Sequence, residues 1–220
     1  MKRILLAIVV GMMALSLGLG ASGQTDASSP VDQLLEAVHT GDAAMVGQLL
    51  EKGIGIDAKG KDGLTALIVA AASGKTDIVE LLLKKGASID IQDNRGDTAL
   101  HYAVMVADLE AAKMLLAKGA KINVQEEGGL TPLMLSIVSG SPELVKLLLD
   151  NGANTEARDK NGFTALMAAS GGGLVDVMKL LLDKGARIDA KSDDGTTALK
   201  LAIENGKTDA ANLLREKGAK

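Results

Sequence analysis

From residue 30 onward, apolar residues fall in short runs at helical spacing, and the runs recur. Between residues 60 and 92, Ala66, Leu67, Ile68, Val69, Ala70 and Ala71 form one run, and Ile78, Val79, Leu81, Leu82 and Leu83 form a second. The first predicts a short apolar helix. The second predicts an amphipathic helix that begins at Asp77 and ends at Lys84-Lys85, the charge order that the helix dipole favours. Lys61-Asp62-Gly63 is a turn signal, with Gly63 suited to positive φ. Thr65 is placed to cap the first helix through its hydroxyl. Gly74 breaks the chain between the two helices, and Gly86 ends the second as a left-handed cap.

The same pattern returns every 33 residues. Gly53, Gly86, Gly119, Gly152, Gly185 and Gly218 keep that step, as do Gly63, Gly96, Gly129, Gly162 and Gly195, and Thr65, Thr98, Thr131, Thr164 and Thr197. Three series in one register define an internal repeat. Thr131-Pro132-Leu133 and Thr98-Ala99-Leu100-His101 open their units. Leu81-Leu82-Leu83 with Gly86-Ala87, Leu147-Leu148-Leu149 with Gly152-Ala153, and Leu180-Leu181-Leu182 with Gly185-Ala186 close theirs. On these motifs residues 30–220 resemble the ankyrin repeat. The resemblance implies an all-α solenoid of helix-turn-helix units joined by β-hairpin-like loops, with four internal repeats and two caps. The units run at about 27–59, 60–92, 93–125, 126–158, 159–191 and 192–220.

Departures from the family pattern are small. Alanine replaces proline at the first helical position of most units and keeps good helix propensity. Ile68, Met134, Met167 and Lys200 stand where the family often has a histidine, removing one hydrogen bond worth about 1 kcal/mol. Ala107 stands where Gly41, Gly74, Gly140, Gly173 and Gly206 mark the inter-helix turn, which predicts a distorted turn after Val106 or a longer first helix. The last unit has a more polar second helix, and the first lacks the turn and the Thr-x-Leu start. Both features suit the ends of a solenoid.

The first 23 residues differ from the rest. Lys2 and Arg3 precede an uncharged apolar run from Ile4 to Leu19, followed by the small residues Gly20, Ala21, Ser22 and Gly23. This reads as a secretory signal peptide cleaved after Gly23, with cleavage after Ala21 as the alternative. The run of 16 residues is short of the ~20 that a membrane span needs. Residues 24–29 read as a flexible lead. The chain has no cysteine, which removes disulfides, thiolate metal sites and a lipid attachment point and suits an oxidising compartment. Without Lys2 and Arg3 the net charge is −6, and there is one Phe, one Tyr and no Trp. Phosphate neutralisation and base stacking are therefore both poorly supplied, which argues against nucleic acid.

Candidate chemistry is sparse. His101 sits at the family's structural histidine position, and His39 lies at a helix end almost two units away. Asp93, Asp97, Asp193 and Asp194 read as solvated turn carboxylates without the spacing of a calcium loop. Gly171-Gly172-Gly173 lacks the Lys-Ser/Thr and the strand of a phosphate loop and reads as a loosened inter-helix turn. The six methionines after the leader (Met45, Met105, Met114, Met134, Met167 and Met178) read as core filling. No catalytic residue, cofactor or metal site is expected.

The resemblance instead implies a protein partner lying across turn tips and first helices. On that register the expected contacts are Leu64, Arg95, Asp97, Met105, Val106, Leu130, Val138, Lys160 and Phe163. Leu64, Leu130 and Phe163 are expected to be exposed, with Phe163 as the anchor. The resulting expectation is an exported, monomeric, non-enzymatic scaffold or stabiliser, periplasmic, with no membrane contact once the leader is removed. A secreted effector binding a host protein is the alternative within the binding class. An enzyme or metal-binding protein with an unrecognised site is the alternative outside it.

Overall fold

The computed structural model describes residues 29–220. The expected signal peptide at 1–23 and nearly all of the lead at 24–29 lie outside the described residues. Among the described residues there are twelve α-helices in six pairs and no strand. The pairs are α1 (Pro30–Thr40) with α2 (Ala43–Glu51), α3 (Ala66–Ala72) with α4 (Thr76–Lys84), and α5 (Ala99–Met105) with α6 (Leu109–Ala117). Then come α7 (Pro132–Ser139) with α8 (Pro142–Asp150), α9 (Ala165–Gly172) with α10 (Val175–Asp183), and α11 (Ala198–Glu204) with α12 (Thr208–Glu216). Among the described residues no helix is long and apolar enough to cross a membrane.

The local rules read from sequence operate at the helix ends. The Thr65 hydroxyl accepts from Ile68 N–H at 3.4 Å, and Thr131 and Thr164 cap α7 and α9 in the same way. Ser29 and Asp32 form a reciprocal capping box on α1, at 3.1 and 3.2 Å. Asp42, Asp108 and Ser141 cap second helices.

The chain forms two compact units, one ending at Lys121 and the other beginning at Ile122. In the first unit α1, α3 and α5 pack side by side as one layer, with α2, α4 and α6 as the other. Leu34, Leu67, Leu82, Leu100 and Leu115 are buried between them. In the second unit α7, α9 and α11 form one layer and α8, α10 and α12 the other, around Leu133, Leu144, Leu148, Leu166 and Leu181. Each such leucine contributes ~1.5–3 kcal/mol by leaving water. Met134, Met167 and Met178 are core as expected, whereas Met45 is 42% exposed.

Two sets of hydrogen bonds fix the register of successive pairs. One runs between loops: Asn94 N–H donates to the Asp62 carbonyl, Lys160 N–H to Gly128 and Asp193 N–H to Asn161, at 2.9–3.0 Å. The loops themselves close like hairpins, with Asp93 N–H to the Asp97 carbonyl and Asp159 N–H to Phe163, both at 3.0 Å. The other set runs from side chain to backbone. Asp57 accepts from Ser88 N–H at 2.9 Å and Asp90 from Lys121 N–H at 2.8 Å in the first unit. Asn123 accepts from Asn154 N–H, Glu156 from Arg187 N–H and Asp189 from Lys220 N–H in the second, at 2.8, 2.9 and 3.1 Å.

The turn after Val106 departs from expectation. Helix α5 is not lengthened, and the turn is not distorted. Ala107 adopts the left-handed conformation at φ 59, matching Gly74 at φ 61 in the preceding pair. Its N–H donates to the Val104 carbonyl, and Asp108 N–H donates to Ala103. These two hydrogen bonds close the turn, and alanine there takes a conformation that costs an L-residue roughly 1–2 kcal/mol. Ala107→Gly is therefore expected to raise stability by about 1 kcal/mol in urea denaturation. An unchanged or lowered midpoint would show that the turn is not strained.

Candidate protein-binding surface

Helices α3, α5, α7 and α9 are enclosed on most sides, whereas α11 buries only Ala198 and Ala202 and leaves Ile203 51% exposed. In the second unit the open side of α7, α9 and α11 carries residues at i, i+3 and i+4: Val138 and Ser139 after Leu135, then Ala168, Gly171 and Gly172, then Leu201, Glu204 and Asn205. Val138 is 45% exposed. Leu135 is buried, and Ala168 and Leu201 are half-buried. Gly171 and Gly172 are not a loosened turn. They belong to α9, and Gly173 provides the left-handed cap at φ 70.

The loops flank this side. Leu130 and Phe163 directly precede the capping threonines of α7 and α9, and both are half-buried. Their N–H groups donate at 2.8 Å to the loop carboxylates Glu126 and Asp159, which fix the backbone ahead of each helix. Lys160 lies exposed at its loop tip. The second unit therefore brings Leu130, Phe163, Lys160 and Val138 onto one set of elements, with Phe163 less open than its register suggested.

The first unit corrects two expectations. Leu64 is only 3% exposed. The next loop lies directly on its own loop: Asn94 packs against Gly63, where a Cβ would meet the Asn94 backbone N at 3.0 Å. Stacked loops enclose the side chain that follows, so Leu64 is core and not a contact. Asp97 is 4% exposed, and Asp93 is also buried. Neither is a solvated turn residue, because Tyr102 reaches them from α5.

The Tyr102 hydroxyl donates to Asp93 Oδ2 at 2.7 Å, while Asp93 Oδ1 accepts from the Arg95 and Asp97 amides at 2.8 and 2.9 Å. The Arg95 guanidinium donates to the Tyr102 oxygen at 2.8 Å, lies 5.9 Å from the ring centroid, and pairs with Asp97 at 3.3 Å. Burial, reinforced by the Asp93 hydrogen bond, pushes the phenol well above its ordinary pKa, so it stays protonated as a donor. Arg95 is thus partly committed within its own loop and half exposed beyond it. Met105 and Val106, at the end of α5, are half-buried.

Sequence spacing alone did not reveal this tie. The only signal was that one unit carries Arg95, Asp97 and Tyr102 where the others carry unrelated residues, while the carboxylate at Asp93 returns as Glu126 and Asp159.

The histidines have structural surroundings. His101 is fully buried, its Nδ1 accepting from Thr98 N–H at 3.2 Å, and His39 Nδ1 lies 3.0 Å from the Ser73 hydroxyl. Among the described residues no group of three or more His, Cys, Asp or Glu is arranged to hold a metal ion. An open depression of about 340 Å³ is lined by Gly172, Gly173, Gly206, Lys207, Thr208 and Asp209, among others, and carries no histidine.

Removing the phenol hydroxyl would leave Asp93 Oδ2 and the Arg95 guanidinium without that partner. Tyr102→Phe is expected to lower stability by about 1–3 kcal/mol, read from the denaturation midpoint. A loss below a few tenths would mean that water replaces the hydroxyl freely.

Comparison with known proteins agrees with this architecture. The family described as ankyrin repeats (3 copies) matches residues 34–126, 116–192 and 133–220. No curated protein matches the chain. With matches running through both compact units, the chain belongs to the ankyrin-repeat family.

Proposed function

We propose that this chain is an exported protein-binding scaffold that stabilises a partner in the compartment beyond the inner membrane. Ankyrin repeats indicate a protein–protein interaction module, so the general class rests on family membership. The finer reading draws support from the leader pattern at 1–23 and from one structural observation: Val138 stands 45% exposed near the end of α7, the helix that half-buried Leu130 precedes, as half-buried Phe163 precedes α9. With Ile203 51% exposed on α11, Val138 leaves apolar surface open on this helix layer, which suits docking. Short helices locked by loop-to-loop hydrogen bonds present a preformed surface, so little ordering cost opposes association. A partner bound only in its folded form is stabilised by mass action, without any chemistry on this chain.

The test is a pull-down from the exported fraction, with the chain from Gln24 as bait and a Val138→Asp/Phe163→Ala double variant as control. A partner held by the wild type and lost by the control is the expected result. Phe163→Ala alone should weaken the complex by about 2 kcal/mol if it anchors the interface. Equal recovery on both baits would place the interface elsewhere. Sequencing the mature N-terminus from fractionated cells checks the export step. An intact leader on cytoplasmic protein would overturn the location, and recovery from the medium would favour the effector reading.

A further inference from the structure

The last helix pair carries a polar outer edge on one helix only. On α12, Arg215 is exposed where Leu83, Leu116, Leu149 and Leu182 stand in register in the preceding pairs. The end of a solenoid needs such a polar face. Helix α11 does not follow. Its Leu199 and Ile203 stay apolar but lose their cover. The residues in register with Leu199 are Leu34, Leu67, Leu100, Leu133 and Leu166, and all are buried. Those in register with Ile203 are Val38, Ala71, Val104, Ile137 and Ser170, and all are buried too. Leu199 itself is half-buried and Ile203 is exposed.

Leu199 and Ile203 lie one turn apart on α11. With Thr197, Lys200, Glu204 and Lys220 they line an open depression of about 300 Å³. Lys200 and Glu204 are also one turn apart, both exposed, and approach each other only at 3.9 Å. An exposed pair at that distance contributes little within one copy. The four residues run apolar then basic, apolar then acidic: Leu199-Lys200, Ile203-Glu204. That order is its own complement. With a second α11 laid antiparallel on the first, about a two-fold axis level with Leu201 and Ala202, Leu199 of one copy faces Ile203 of the other. Lys200 then faces Glu204 twice, once on each side of the axis. The first helix of the chain offers no such match, since its exposed positions after Pro30 are Asp32, Gln33 and Thr40.

We propose that two copies of this chain associate through α11, with Leu199 and Ile203 interlocking across the depression and Lys200 pairing with Glu204 of the other copy. The inference goes beyond the docking reading above and replaces the monomer expected from sequence. It assigns Ile203 to the second copy and leaves Val138 to the partner. Because the edge of α12 is polar, the apolar contact is narrow and the association is weak and reversible, with a Kd on the order of 10–100 µM.

The test is sedimentation equilibrium of the protein purified from its own cells, over about 1 to 500 µM. A monomer–dimer equilibrium is the expected result. Ile203→Asp should weaken it at least about tenfold and leave the melting temperature unchanged, because that side chain is exposed in the single copy. Lys200→Glu and Glu204→Lys should each weaken self-association about tenfold. Mixed in equal amounts, these two variants should pair with one another as tightly as the wild type does, since each supplies the charge that the other lacks.

A wild type that stays monomeric over the whole range overturns the proposal. So does a dimer indifferent to Ile203→Asp, and so does a mixture of the two charge variants that associates no better than either alone. Mass that grows past the dimer with concentration means head-to-tail stacking and overturns the two-fold contact. None of these variants alters Val138 or Phe163, so the pull-down reading stands or falls separately.

Discussion

Helices of seven to eleven residues do not hold together alone in water, and every α-helix described in this chain falls within that range. Their stability comes from neighbours, so each pair must present its apolar side in register with the next. Everything else in the fold serves that requirement. The threonine caps start the first helices at a fixed place, and glycines such as Gly173 turn the backbone sharply enough for the second helix to fold back. Hydrogen bonds between loops, and between side chains and the next unit's backbone, then prevent slippage.

This dependence explains which features were legible in the sequence. The helix pairs, their caps and their order follow from residues within one unit, and a single 33-residue window contains the information. Leu64 was misplaced because its burial depends on the next loop, carried by Asn94 about thirty residues later. Asp93 and Asp97 look like solvent-facing turn carboxylates until Tyr102 is known to lean over them. Gly171-Gly172 reads as a loop by propensity, yet packing draws both into α9. In each case a longer-range contact overruled a correct local preference. Of the surface side chains, Val138 and Lys160 could be placed on the exposed side by register alone.

The same separation divides architecture from recognition. Positions fixed by the stack repeat along the chain, whereas the positions facing outward vary from unit to unit. The third pair uses its variable positions to brace its own loop through Arg95 and Tyr102. The fourth leaves Val138 open. A solenoid can thus change what it recognises without altering how it folds. Ala107 shows the limit of that freedom: the turn keeps its shape although the residue resists it.

The side-chain-to-backbone ladder carries an evolutionary asymmetry. Each rung needs an oxygen at its accepting end, supplied by Asp57, Asp90, Asn123, Glu156 and Asp189. The donating end is a main-chain N–H, which any residue but proline provides, and it falls on residues as unlike as Ser88, Lys121, Asn154, Arg187 and Lys220. Drift is therefore almost unrestricted on one side of each rung and confined to three residue types or their near relatives on the other. A lineage can rewrite the donor column freely while the acceptor column preserves the phase, so that whole units can be gained or lost by recombination without the stack losing its place.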